Sequence, residues 1–190
     1  MANNHGQNAR LGAIGESYVQ MRLMQQGWDA FNANSTYNNY KSVDIICLRP
    51  EDAKIRKPRT ALIQVKTTKG KSFPLGFTID QCLDMDFLKE RVIGPWVFIA
   101  VDSENDTSTF RCYVLTRNQV IELAYKAHDW YKNMWKRDKD IKGTSVAALN
   151  EVWLYGEIKK CEGTTPQHPA FVNPLKGAQT KEAWENIWTE

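Results

Sequence analysis

Apolar residues near the start of the chain recur with a helical period. From Leu11 to Met21 they are spaced three or four positions apart, so they lie along one stripe of a helix. The pattern predicts a helix over residues 8–26, ended by Gly27, a residue type that commonly follows the last helical turn. Glu16 lies on a face of this helix that also carries apolar residues, so its carboxylate is expected to be partly buried.

Two later stretches have the pattern of strands. Residues 43–48 are β-branched and almost continuously apolar, which is typical of a strand covered on both faces, but Asp44 interrupts them. Residues 61–67 alternate, so Gln64 and Lys66 are predicted to share one face. A buried carboxylate is costly without a cation or hydrogen-bond donors, so Asp44 is expected to have such partners.

The remaining pattern predicts helices over 80–92, 116–138 and 180–188. It also predicts an extended segment over 28–33, a hairpin of strands over 96–101 and 110–115, and a strand over 152–158. Residues 34–40 and 49–59 are predicted to be loops. Alternating helices and strands predict an α/β fold with a mixed sheet flanked by helices. We expect a core over residues 1–140 and an aromatic-rich C-terminal extension over residues 141–190 that packs on this core.

Composition excludes several classes of protein. The chain has 190 residues, 42% hydrophobic and 25% charged, so it can bury one sizeable core and is not disordered. No apolar run approaches the roughly 18 residues of a membrane helix, and the N-terminus has no apolar signal core, so we expect a cytoplasmic protein without membrane contact. The sequence has no phosphate-binding loop, dinucleotide glycine fingerprint or Cys-x-x-Cys pair, which argues against nucleotide-driven, hydride-transfer and thiolate-zinc chemistry.

Four polar residues form the candidate catalytic site. If the strands that carry Asp44 and Gln64 are antiparallel neighbours, Asp44 lies beside Gln64 and Lys66. Mg²⁺, or Mn²⁺ in its place, prefers oxygen ligands, which the carboxylates of Asp44 and Glu16 and the amide oxygen of Gln64 can supply. The Lys66 ammonium can orient a water or stabilise charge developing on a phosphate. The other interpretation is that Glu16 is solvated, Asp44 caps a strand end and Lys66 extends into solvent.

Positive charge brackets this site, although the formal net charge is only +3. Residues 54–71 contain seven Lys or Arg and no Asp or Glu. This run favours an anionic polymer, such as nucleic acid, as the substrate; a solvated loop is the alternative interpretation. The predicted nucleic-acid-binding residues are Lys54, Arg56, Lys57, Arg59, Thr67, Thr68, Lys69 and Lys71.

A second candidate surface lies in the helical stretch over residues 125–137. Trp130, Tyr131 and Trp135 interleave there with basic residues, as aromatic and basic residues do on surfaces that stack nucleic-acid bases. Most aromatic residues on helices pack into a core, so part of this set is expected to face inward.

The spacing of the four site residues resembles that of the PD-(D/E)xK, or restriction-endonuclease-like, nuclease superfamily. Asp44 is followed, after 19 residues, by Gln64-Val65-Lys66, where the family has an aspartate, a variable gap, and an acid one residue before x-Lys. Glu16 is similar to the first-helix glutamate of Holliday-junction-resolvase-like members. Gln64 stands in place of the usual acid, as it does in some branches of the superfamily. The resemblance covers roughly residues 8–115.

The resemblance implies a core of helix, three strands, helix and strand, and a Mg²⁺-dependent endonuclease that cleaves DNA by attack of a metal-activated water. In that role Asp44 is the main metal ligand, Gln64 and Glu16 are auxiliary ligands, and Lys66 stabilises the transition state. RNA as the substrate and a homodimeric state stay open. The alternative is a catalytically inactive nuclease-like module that binds nucleic acid or a protein, with Gln64 marking the loss of activity.

Overall fold

The structure, a computed structural model, describes residues 4–34, 42–49, 59–104, 107–135, 142–155 and 171–189. Its strands are β1 (Asp29–Asn32), β2 (Ile45–Arg49), β3 (Arg59–Thr68), β4 (Ser72–Thr78), β5 (Trp96–Glu104), β6 (Thr107–Leu115) and β7 (Val146–Asn150). Its α-helices are α1 (Asn4–Gln25), α2 (Ile79–Cys82), α3 (Met85–Arg91), α4 (Arg117–Asp129) and α5 (Glu151–Leu154). A π-helical turn covers Trp130–Trp135, and a 3₁₀ helix covers Trp184–Trp188.

Five strands form a mixed sheet in the order β1-β2-β3-β5-β6. Neighbouring strands are antiparallel except β3 and β5, which run parallel. A parallel pair requires a crossover connection, and β4, α2 and α3 provide it between β3 and β5. β4 forms a separate antiparallel pair with β7. The predicted α/β fold with a mixed sheet flanked by helices is confirmed.

Both faces of the central sheet are buried, which explains the continuous apolar run in β5. Val97 and Ile99 pack in one apolar cluster with Leu23 of α1. Trp96 and Phe98, which point to the opposite face, pack in a second cluster with residues of α4 and β4. The α1 side and the α4 side of the sheet therefore have separate cores.

Helix α1 approaches β3 closely at one glycine. A Cβ atom placed on Gly15 would lie 1.8 Å from Oγ1 and 2.9 Å from Cβ of Thr67, so the backbone of the helix rests on that side chain. Glu16 follows Gly15 directly, and the close approach therefore fixes the height of Glu16 above the sheet.

Two strands and a helix break depart from the predicted pattern. β4 and β7 are not predicted, because Pro74 and Gly76 interrupt the strand signal of β4 and its partner lies some 70 residues further along the chain. The helix predicted over 80–92 is two helices. Asp84 separates them, since its Oδ1 accepts hydrogen bonds from the N–H groups of Asp86 and Phe87, both at 3.0 Å, and so caps α3.

Three predictions in the C-terminal half need correction. The strand predicted over 152–158 is wrong where it is described, because Asn150 caps α5 by accepting the Val152 N–H at 3.1 Å; residues 156–158 lie outside the described residues. The helix predicted over 116–138 ends as an α-helix at Asp129 and continues as the π-helical turn; residues 136–138 also lie outside. Within 180–188 only Trp184–Trp188 is helical, with 3₁₀ geometry.

The described part of residues 141–190 contributes to both cores. β7 pairs with β4, and Trp184 and Trp188 belong to the cluster that contains Leu23. Glu151 is 3% exposed. Its carboxylate accepts hydrogen bonds from Arg111 Nε at 2.7 Å and Tyr113 Oη at 2.9 Å. These contacts join α5 to β6, while the domain boundary between residues 140 and 141 stays a prediction.

Candidate active site

Antiparallel pairing of β2 with β3 places Asp44 beside the strand that carries Gln64 and Lys66. Ile45 pairs with Ile63, and the Asp44 N–H donates to the Ile63 carbonyl at 2.8 Å. Asp44, one residue before Ile45, therefore comes opposite Gln64 and projects from the same face of the sheet. The antiparallel pairing on which the predicted site depends is therefore present.

The Asp44 carboxylate is held by donors on three sides. Its Oδ2 accepts a hydrogen bond from the Val65 backbone N–H at 2.7 Å and another from the Gln64 side-chain amide. Its Oδ1 lies 3.5 Å from Asn34 Nδ2. Because Asp44 is only 9% exposed, these donors replace the water that an exposed carboxylate would bind.

Glu16 is connected to Asp44 through two asparagines. Its Oε2 accepts a hydrogen bond from Asn32 Nδ2 at 2.8 Å, and Asn32 Oδ1 accepts one from the Asn34 N–H, also at 2.8 Å. Asn34 in turn is the residue that approaches Asp44. α1, the end of β1 and the start of β2 are therefore joined by a polar chain. This chain was not predicted, because Asn32 was assigned to an extended segment and Asn34 to a loop, with no role for either side chain.

Burial perturbs the ionisation of all three charged residues at the site. It raises the pKa of Asp44, against the opposing effects of the Val65 N–H, the Lys66 charge and the Gln64 amide. It also raises the pKa of Glu16, where the Asn32 hydrogen bond opposes it and the Asp44 charge adds to it. Burial lowers the pKa of Lys66, with the Asp44 charge acting in the opposite direction. The Asp44 charge thus acts on both Glu16 and Lys66 in a partly dehydrated environment.

Lys66 lies between an aromatic ring and a glycine. Its Nζ is 5.1 Å from the ring centroid of Trp96, a cation–π distance, and Trp96 is the residue that pairs with Gln64 across the β3–β5 ladder. A Cβ atom on Gly76 would lie 3.7 Å from Nζ, and Gly76 has a φ of +81°. A glycine at 76 therefore permits the backbone turn in β4 and leaves space beside the ammonium.

A cleft of about 750 Å³ opens between the first half of α1, the end of β3 and the start of β4. Its charged lining residues are Arg10, Lys66 and Lys69, and the described residues that line it include no acidic side chain. We call it the Arg10–Lys69 cleft. Thr67 and Thr68 also line it, although the Thr67 hydroxyl is enclosed against Gly15 and has no hydrogen-bond partner among the described residues. Arg10 was not predicted, because it lies on α1, distant in sequence from the basic run.

The other predicted nucleic-acid-binding residues lie apart or outside the description. Lys71 is exposed in the turn between β3 and β4. Arg59 is at the opposite end of β3, where it donates to the Trp188 carbonyl and its guanidinium carbon lies 5.5 Å from the Trp188 ring centroid. Lys54, Arg56 and Lys57 lie outside the described residues. The basic run predicted as one surface is therefore divided between the two ends of β3.

Within the described ranges, no group of three or more His, Cys, Asp or Glu side chains could hold a metal ion. The candidate site contains two such side chains, Glu16 and Asp44, with the Gln64 amide beside them. None of the described helices is both long and apolar enough to cross a bilayer. Comparisons with protein-family models, with curated proteins and with solved structures found no match to this chain.

Proposed function

We propose that this chain is a metal-dependent phosphodiesterase that cleaves DNA. The observation that carries the proposal is the position of Asp44, Gln64 and Lys66 on one face of β2 and β3, with Lys66 also lining the Arg10–Lys69 cleft. The chain order supports it. α1, β1, β2, β3 and a parallel β5 that follows α2 and α3 match the helix, three strands, helix and strand of restriction-endonuclease-like nucleases, with β4 as an additional strand in the crossover.

The donor set of the site fits a hard divalent cation. Asp44 and Glu16 offer carboxylate oxygens, and Gln64 offers an amide oxygen when its amide group is rotated from the orientation that donates to Asp44. Burial raises the pKa of both carboxyl groups, and a cation bound by them would favour their ionised forms. A magnesium ion held by these residues would supply polarisation of the scissile phosphate and a more acidic water.

Lys66 is the residue placed to act on the phosphate. Its ammonium interacts electrostatically with the Asp44 carboxylate, and its side chain also lines the cleft. As a cation it can donate a hydrogen bond to a non-bridging phosphate oxygen and stabilise the charge that develops there. Because burial lowers the pKa of Lys66, its neutral amine forms more readily than that of a solvated lysine. The neutral amine can orient or deprotonate the attacking water.

The Arg10–Lys69 cleft provides the contact with the DNA backbone. Arg10 and Lys69 line the cleft together with Lys66, and a lining without acidic side chains does not repel successive phosphates. Backbone contacts of this kind position a strand without reading its sequence. The cleft therefore accounts for affinity, and Asp44, Gln64 and Lys66 account for chemistry.

The test is cleavage of supercoiled plasmid, linear duplex, single strand, branched junction and RNA with Mg²⁺ or Mn²⁺. Asp44→Asn and Lys66→Ala are compared with the parent, because asparagine keeps an acceptor oxygen for the Val65 N–H. Exposed residues provide the matched controls Asp86→Asn and Lys89→Ala. We expect metal-dependent cleavage that falls at least about 100-fold in the two site variants and is unchanged in the controls. Cleavage that survives in both site variants would exclude the assigned mechanism.

A nucleic-acid-binding module without catalysis is the second candidate. It is favoured by the complete hydrogen bonding of the Asp44 carboxylate by Val65, Gln64 and Asn34, which leaves that group satisfied without an ion. Calorimetric titration with Mg²⁺ and Mn²⁺ separates the two. Heat of binding that disappears in Asp44→Asn supports the phosphodiesterase, and DNA binding with no such heat supports the module.

A further inference from the structure

A second pocket lies across β4 from the candidate active site. It has a volume of about 350 Å³ and is walled by the outward face of β7, the end of α4 and the π-helical turn. Its lining includes His128, Tyr131, Ala148, Trp153 and Ser72. We call this the His128 pocket. Its volume is at the lower end of the range for pockets that bind small organic groups.

His128 presents a hydrogen-bond acceptor in this pocket. The residue is 4% exposed, and its Nδ1 lies 2.7 Å from the Ala124 carbonyl. A carbonyl can only accept, so Nδ1 carries the proton, and in the neutral ring Nε2 is the acceptor. Burial lowers the pKa of His128, which favours this neutral form. Because Nδ1 is directed at the Ala124 carbonyl, Nε2 is the ring nitrogen left to meet a ligand in the pocket that His128 lines.

Aromatic rings supply the other recognition element. Trp153 lines the pocket and is backed by Phe171 at 5.1 Å and Trp130 at 6.3 Å between ring centroids, so its ring is held by the core. Tyr131 lines the pocket from the π-helical turn. π-Helical segments occur frequently at functional sites, because they redirect side chains that a regular α-helix would place elsewhere.

The His128 pocket and the Arg10–Lys69 cleft have one lining residue in common. Ser72, the first residue of β4, lines both. Because Ser72 borders both, a DNA strand whose phosphates contact Arg10 and Lys69 can extend to the His128 pocket. An acceptor nitrogen and aromatic rings suit a planar group with an N–H donor at its edge, and the exocyclic amino groups of nucleobases are such donors.

We propose that the His128 pocket binds one unstacked, amino-bearing nucleobase of the DNA strand whose phosphates lie in the Arg10–Lys69 cleft. This inference rests on the proposed function, because it requires nucleic acid in the cleft. Stacking on Trp153 and Tyr131 provides affinity for the base, and His128 Nε2 selects a base with an amino group at its edge.

The test uses fluorescence anisotropy with labelled single strands of about ten nucleotides, a length within the range of single-strand binding sites. The three probes are oligo-dC, oligo-dT and an abasic strand of the same length, in EDTA and again in Ca²⁺. Cytosine and thymine differ at the edge that the pocket reads, since cytosine offers an amino donor and thymine a carbonyl acceptor. The abasic strand reports the phosphate contacts alone.

Two pocket variants and one control are compared with the parent. Ala148→Leu narrows the pocket from the outward face of β7, and His128→Phe keeps a ring but removes the acceptor. Val172→Leu changes a residue that is 80% exposed and does not line the pocket. Circular dichroism verifies that each variant is folded, and Ala148→Leu, which leaves the buried histidine in place, remains informative if His128→Phe unfolds.

We expect the parent to bind oligo-dC about tenfold more tightly than the abasic strand, the effect of one stacked base. Ala148→Leu should remove most of the preference for oligo-dC over the abasic strand without changing abasic binding. His128→Phe should remove the preference for oligo-dC over oligo-dT. Val172→Leu should change neither preference. Equal parent binding of oligo-dC and the abasic strand would overturn the pocket while leaving the proposed function standing. Failure to bind any of the three probes in either buffer would also overturn the pocket, and the proposed function is then decided separately by cleavage of the duplex and junction substrates.

Discussion

The close approach of α1 to β3 gives the sharpest test of how the site is held. Gly15 lies where a Cβ atom would be 1.8 Å from Thr67 Oγ1 and 2.9 Å from Thr67 Cβ. Rotation of the threonine side chain can relieve the first contact but not the second, because Cβ is fixed to the backbone of β3. Gly15→Ala must therefore move the helix and the strand apart. Gly12 is the matched control, since a Cβ there would meet nothing within 4 Å.

The expected magnitude follows from two opposing terms. Alanine in place of glycine within a helix stabilises by about 1 kcal/mol, and this term is common to both variants. The overpacked contact at Gly15 costs about 1–3 kcal/mol. The free energy of unfolding of Gly15→Ala should therefore be about 1–3 kcal/mol below that of Gly12→Ala, which exceeds the parent. For a chain of this length the difference corresponds to about 2–12 °C in Tm.

Urea and thermal unfolding followed by circular dichroism measure this difference. Adding Thr67→Ala to Gly15→Ala removes the 1.8 Å contact and leaves the 2.9 Å one, so the pair should recover part of the loss, with a coupling free energy of about 0.5–3 kcal/mol. Equal stability of Gly15→Ala and Gly12→Ala would refute the close packing. A loss that Thr67→Ala does not reduce would place its cause away from Thr67.

Three further changes test other parts of the structure. Glu151→Gln should cost about 3 kcal/mol at pH 7 because it breaks a buried ion pair with Arg111. Although burial raises the pKa of Glu151, the Arg111 and Tyr113 hydrogen bonds outweigh it and the pKa lies below its ordinary 4.5. The parent therefore loses this stability as the pH falls below about 4.5. The free energies of unfolding of the parent and Glu151→Gln, measured in urea, should converge in that acidic range. Gly76→Ala, at a φ of +81°, should lower the free energy of unfolding by about 1–2 kcal/mol; an unchanged urea midpoint would contradict this. Gln64→Glu places a second carboxylate against Asp44, so its Tm without metal should fall and its Mg²⁺-induced rise in Tm should exceed that of the parent; equal rises would count against metal binding at this position.

The strand period was sufficient to predict the centre of the site. Alternation places Gln64 and Lys66 on one face of β3, and an aspartate at the start of an apolar strand must find donors or a cation, as Asp44 does. These inferences depend only on local geometry and on the pairing of two neighbouring strands. They therefore required no knowledge of the rest of the fold.

The surroundings of the site depend on long-range packing and could not be predicted in the same way. Arg10 reaches the cleft because α1 rests on β3 at Gly15, and Arg59 leaves the basic run because Trp188 returns to its end of β3. Asn32 acts through its position at the end of β1, a four-residue strand whose sequence pattern carries no sign of that role. In each case a partner distant in sequence decides the position.

Glutamine at position 64 has a consequence that neither glutamate nor an apolar residue would share. Its amide presents an N–H to the Asp44 carboxylate, which satisfies a buried acceptor in the absence of an ion. Rotation of the same amide exchanges the nitrogen for an oxygen, so the residue can also serve as an oxygen ligand beside Asp44. A glutamate would oppose Asp44 unless an ion or a proton stood between them, and an apolar residue could not bind the ion at all. Under the proposed function, Gln64 therefore satisfies the buried Asp44 carboxylate before a cation binds. In exchange, the site offers the cation one negative charge fewer than it would with glutamate at this position.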